Sequence, residues 1–117
     1  METVIIISED NDLLKKINQD WEKSNFNIFF EKDKLNIEFE KDRIYLDKNN
    51  EIEGDFEENE LKYLKNIFSH SLSFYLISYS DKTILKYFLT ESHSLQNTYI
   101  DDDHDKLTDI NSFLKDL

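Results

Sequence analysis

The chain has 117 residues, about one domain's worth, and its 26 Asp and Glu against 14 Lys and Arg give a net charge of −12. That balance argues against direct binding to nucleic acid or an anionic membrane, both of which need surplus positive charge. The absence of cysteine excludes disulfides, thiolate-metal sites and thiol nucleophiles, and a single glycine (Gly54) with no proline removes most glycine-rich phosphate-binding chemistry.

The 9 Phe and 6 Tyr make the chain too aromatic for a disordered acidic tail. A single folded domain over residues 1–117 is therefore expected. The first apolar run, Val4 to Ile7, is too short for a leader and follows Glu2 rather than a basic stretch. A soluble cytoplasmic protein is the expectation.

Taken in order, Val4 to Ile7 predicts a short strand buried on both faces. Ser8 to Ser24 predicts a helix, with Leu13, Leu14, Ile17 and Trp21 on one side and Asp10 or Asn11 as cap. From Phe26 to Asp47 the apolar period switches to two, in three runs: Phe26, Ile28 and Phe30, then Leu35, Ile37 and Phe39, then Ile44 and Leu46.

Parity then sets the register of a three-stranded meander. Opposed residues of antiparallel neighbours share a face, so Phe30 should face Leu35 and Phe39 should face Ile44 across four-residue loops, 31–34 and 40–43. Two-residue loops keep the parity but bring Lys32 and Lys41 to the apolar face and lack the Gly or Asn such turns favour. The opposite face carries Phe29, Glu31, Glu38, Glu40, Tyr45 and Asp47.

Residues 48–60 form an acidic connection, and Asp55 with Glu58 suggests the cap of a helix reaching about His70, with Leu61, Leu64, Ile67 and Phe68 inward. Phe74 to Ile77 is the best candidate for mid-sheet. A third helix capped by Ser80 or Asp81 packs through Ile84, Leu85, Phe88 and Leu89. A strand near 98–101 and a short helix through Ile110, Phe113, Leu114 and Leu117 close the chain. The order βαβββαβαβα predicts an α+β fold, one mostly antiparallel mixed sheet with helices packed against it.

Charge is unevenly placed. Residues 47–60 hold 7 acids and one lysine, a net −6, and residues 91–117 hold 7 acids and 2 lysines, a net −5. Residues 61–90 hold one acid and 4 lysines, a net +3. Such clusters are either solvated loops or a surface for a cationic partner. The candidate partner-binding residues are Glu51, Glu53, Asp55, Glu57, Glu58, Asp101, Asp102, Asp103 and Asp105.

Chemistry of the chain's own finds little support. Asp101, Asp103, Asp105 and Asp109 fall at positions of a calcium loop, but Lys106 replaces its glycine and Ser112 its bidentate glutamate. A second near match from Asp47 to Glu58 has Ile52 at the glycine position. His70, His93 and His104 lack metal-pair spacing, and no serine sits on a glycine-flanked turn. Neither catalysis nor a cofactor is expected. Exposed aromatics are the more informative signal: Phe29 and Tyr45 lie beside acids on the polar meander face, Tyr63 and Tyr87 lie off the main stripes of their helices, and Tyr99 precedes the acidic run. Such rings suit a protein-binding surface, or else they edge the core or a second layer covers that sheet face.

In this general character, acidic, single-domain, α+β and without a catalytic motif, the chain resembles the small immunity proteins that neutralise bacterial polymorphic toxins, including those of contact-dependent growth inhibition. Phe74 to Ser80 followed by a helix, and Thr98 to Asp105 followed by a closing helix, carry the likeness. The resemblance implies a cytoplasmic inhibitor of a cationic toxin domain, a nuclease, with carboxylates standing where substrate phosphates would lie. A DNA-mimic inhibitor of a nucleic-acid enzyme and a non-catalytic regulatory or scaffold subunit are the alternatives.

Overall fold

A computed structural model describes residues 1–102 and 106–117. Among them lie seven strands: β1 (Glu2–Ser8), β2 (Asn27–Glu31), β3 (Lys34–Glu38), β4 (Arg43–Lys48), β5 (Ser73–Tyr79), β6 (Tyr99–Asp101) and β7 (Leu107–Asp109). They form one antiparallel sheet in the order β2-β3-β4-β5-β1-β6-β7, so the fold is α+β. The helices are α1 (Leu13–Trp21), α2 (Glu58–Ile67), α3 (Lys82–Glu91) and α4 (Ile110–Lys115), with 3-10 helices at Asn50–Asp55 and His93–Leu95.

The two runs without apolar–polar alternation, β1 and β5, take the middle of the sheet, where both faces are covered. They pair from Glu2 with Tyr79 to Ser8 with Ser73. Alternate residues then feed two cores. On one face Val4, Ile6, Tyr75, Ile77 and the inward residues of β3 and β4 meet α1, α3 and α4 through Ile17, Trp21, Phe88 and Phe113. On the other, Ile7 and Phe74 meet Ile52, Phe56, Leu64 and Phe68 of the first 3-10 helix and α2. This second core draws nothing from β2, β3 or β4, so the outer face of the meander has no helix over it.

Several boundaries differ from the sequence expectation, each for a local reason. The Ser8 hydroxyl accepts a hydrogen bond from the Asp10 amide, and the Asp10 carboxylate accepts one from Asp12, so a turn delays α1 to Leu13. Asp12, rather than Asp10 or Asn11, occupies the cap position, without a side-chain bond. The Tyr75 hydroxyl fixes this turn by donating to the Asp10 carbonyl at 2.6 Å, and burial first of all pushes its pKa up to about 12.

In the first hairpin Phe30 does face Leu35, but the ladder runs one pair further, to Glu31 with Lys34. Lys32 then takes the left-handed conformation (φ 49°) that Gly or Asn would adopt more easily, and it stays exposed. In the second hairpin Ile44 faces Ile37, not Phe39. Parity is conserved, but the register moves by two because Phe39 closes the hairpin, donating its amide to the Asp42 carbonyl and tucking its ring against Trp21 at 5.5 Å.

The 3-10 helix, capped by Asn49, absorbs Asp55. Helix α2 therefore starts from Glu57, whose carboxylate and that of Glu60 form a reciprocal capping box, and it stops at Ile67, short of His70. The three-residue β7, absent from the sequence expectation, pairs with β6 at the sheet edge.

Trp21 holds the larger core's margin. It stacks on Phe88 at 5.9 Å, meets Phe26 and Tyr87, and donates its indole N–H to the buried Ser92 hydroxyl at 2.8 Å. Trp21→Ala should destabilise the fold by about 3–5 kcal/mol in urea titration. Ser92→Ala, which strands the indole N–H, should cost about 1–3 kcal/mol. A Ser92→Ala protein as stable as wild type would show that the bond contributes nothing.

Candidate protein-binding surface

The first acidic segment is held in place by short apolar anchors. Ile52 and Phe56 point into the second core, which leaves Glu51, Asp55, Glu57 and Glu58 exposed and Glu53 partly so. Two of these have structural duties. Glu57 caps α2, and Glu58 lies 3.6 Å from Lys62, a solvent-exposed pair of small energetic weight. Of the second segment, Asp101 and Asp102 are partly buried at the end of β6, while Asp103, His104 and Asp105 lie outside the described residues. The Asp102 carboxylate accepts the Lys106 amide at 3.1 Å, and Lys106 reaches Asp116 at 2.6 Å.

The ladder registers fix where the segments leave the sheet. The first follows Lys48, next to the Ser8 end of β1, since the Asn49 amide bonds to the Phe74 carbonyl. The second follows Asp101, which faces Ile5, and departs toward the Glu2 end. They begin at opposite ends of the sheet.

Helix α2, which follows the first segment, meets β6, which precedes the second, through aromatic rings. Tyr63 of α2 meets Tyr99 of β6 edge to face at 6.1 Å, and Phe68 meets the same ring at 5.6 Å. Burial first, then the Tyr63 hydroxyl and the Asp109 charge, raise the Tyr99 phenol above its ordinary pKa. Tyr63 is 48% exposed, and Ile67, expected on the inward stripe, is 39% exposed one turn further along α2. Leu64 and Phe68 fill the core from this helix, and Ile67 falls on its flank.

The other aromatics flagged by sequence separate. Tyr87 edges the Trp21 cluster, Tyr45 is half-buried, and Phe29 stands 54% exposed on the uncovered meander face, opposite Asn36.

A concavity of about 560 Å³ opens at the Ser8 end of β1 among Ser8, Asp10, Lys16, His93 and Thr98. Several of its polar groups are already engaged. Lys16 pairs with Asp10, the Ser8 hydroxyl holds Asp10, and the Thr98 hydroxyl donates to the Leu95 carbonyl at 2.7 Å. Burial works to raise the Asp10 pKa, but the Lys16 bond, the Asp12 amide and nearby lysines hold it below the ordinary value. His70 and His93 are exposed. Among the described residues no three His, Asp or Glu form a metal-binding group, and no helix is long and apolar enough to cross a membrane.

Of the aspartates of the calcium-like spacing, Asp103 and Asp105 lie outside the described residues. Asp101 and Asp109 sit on neighbouring strands, and Asp109 caps α4 by accepting the Ser112 amide at 2.8 Å and its hydroxyl at 3.0 Å. Those two bonds, the amide first, lower the Asp109 pKa. A lowered folded-state pKa stabilises the protein above the ordinary carboxylate value of 3.8 and ceases to do so as pH falls through the lowered value. Asp109→Ala should therefore cost about 1 kcal/mol at neutral pH. In urea titrations the gap to wild type should narrow at about pH 3. A gap that stays constant would mean that the charged carboxylate is not what stabilises the cap.

Comparison with protein-family models, with curated proteins and with solved structures gives no match, so what the chain does has to be argued from this surface itself.

Proposed function

We propose that this protein is a cytoplasmic, non-catalytic inhibitor that neutralises a cationic protein domain, in the manner of an immunity protein against a toxin nuclease. The observation that carries this reading is the Tyr63–Tyr99 contact. It joins the helix that follows the first acid-rich segment to the strand that precedes the second, with the Tyr63 ring exposed. Tyrosine rings offer buried area at low entropic cost, and surrounding carboxylates steer a basic partner and disfavour acidic competitors.

A nuclease that grips a phosphate backbone exposes Lys and Arg. Carboxylates at Glu51, Glu53, Asp55, Glu57 and Glu58, and at Asp101, Asp102, Asp103 and Asp105, match that chemistry. Within the first segment Glu58 pairs with Lys62, and both partners are solvent-exposed, so the pair leaves the carboxylate open to a partner.

The test is affinity capture from the native host, followed by association kinetics with the captured partner. That partner should be a basic protein. Replacing Glu51, Glu53, Asp55 and Glu58 by Gln or Asn, with Glu57 kept because it caps α2, should slow association about tenfold or more and flatten its salt dependence. An acidic or neutral partner, or unchanged kinetics after both segments are neutralised, would end the proposal.

A further inference from the structure

A groove of about 340 Å³ runs between the end of α2 and the β6–β7 edge. Ile67, Phe68 and Tyr99 supply its apolar wall, and Glu9 and Asp109 place carboxylates on it. The exposed Tyr63 ring packs edge to face on Tyr99, next to this wall. The lining residues include no lysine or arginine. We propose that this groove is the receptor for an arginine side chain presented by the partner, an inference that rests on the basic-partner reading above and names where its anchor sits.

The chemistry fits a guanidinium better than an ammonium. A planar, weakly hydrated cation stacks on tyrosine faces while its N–H fork reaches carboxylate oxygens. Asp109 directly faces Tyr99 across the β6–β7 pair, so one carboxylate is fixed beside the ring. Its cap bonds to Ser112 hold it in place and keep it ionised. Glu9 is held in turn by the His70 amide at 3.2 Å. Both carboxylates are therefore oriented before a ligand arrives, and little side-chain entropy is lost on binding. Apolar wall, fixed charge and an open mouth occur together here. The apolar concavity around Phe26, Phe39 and Ile84 instead carries Lys41 with its acids.

The experiment is a backbone amide NMR titration of the full chain with acetyl-Ala-Arg-Ala-amide and with its citrulline counterpart, which keeps the shape and removes the charge. The arginine peptide should give saturating shifts at Ile67, Asn97 and Tyr99. The citrulline peptide should bind about tenfold more weakly. Tyr63→Ala with Ile67→Ser, both at exposed positions, should weaken the arginine peptide by a similar factor, and Glu9→Gln by about threefold. Equal response to the two peptides would overturn the anchor, as would shifts confined to residues 51–58 or 101–102. If the anchor fails while a basic partner is still captured with steep salt dependence, only this inference falls. If no basic partner is captured, the functional reading fails on its own evidence.

Discussion

The pairing of β1 with β5 is the interaction on which the rest of the molecule depends. Seven residue pairs join them, and both strands are covered above and below. Each is apolar on both sides because each must supply two cores at once. β1 gives Val4 and Ile6 to one and Ile5 and Ile7 to the other, and β5 gives Tyr75 and Ile77 against Phe74 and Leu76. Remove this ladder and the sheet itself would part between β5 and β1, with the meander on one side and the β6–β7 edge on the other. Full burial of such side chains contributes on the order of 1.5–3 kcal/mol each, against which the exposed ion pairs are minor.

The same ladder explains how the acidic segments are displayed. Acids are costly when crowded and cannot be buried without partners. The chain places them where the sheet ends and tethers them by a few apolar side chains. Ile52 and Phe56 hold the first segment, and the β6–β7 pair holds the second. Excess charge is carried by connections, and stability by the strands.

The α+β class, the meander, the central place of β5 and the inward stripes of α1 and α3 were legible in the sequence, because each rests on a repeat of hydrophobicity over several residues. What was not legible turned on interactions between distant residues. The β3–β4 register moved by two because Phe39 is drawn to Trp21, a contact no local pattern encodes. β7 is too short to show alternation, and its existence follows from β6 lying beside it. Ile67 looked like core by spacing, and its exposure depends on how α2 is rotated over β1 and β5. Of the surface, sequence singled out Tyr63 and Tyr99 separately. Their meeting, and the company of Glu9 and Asp109, needed the fold.

The place of β1 also bears on how the chain is made. Strand β1 is synthesised before the other described strands, yet its two neighbours, β5 and β6, come after the whole meander. Until β5 is made Val4 to Ile7 has neither of its partner strands, and a short, uncharged, β-prone stretch of that kind seeks other chains. Glu2 on one side and Glu9, Asp10 and Asp12 on the other bracket it with negative charge. Flanking charges of this kind act as gatekeepers, keeping nascent chains apart until the middle of the sheet can close.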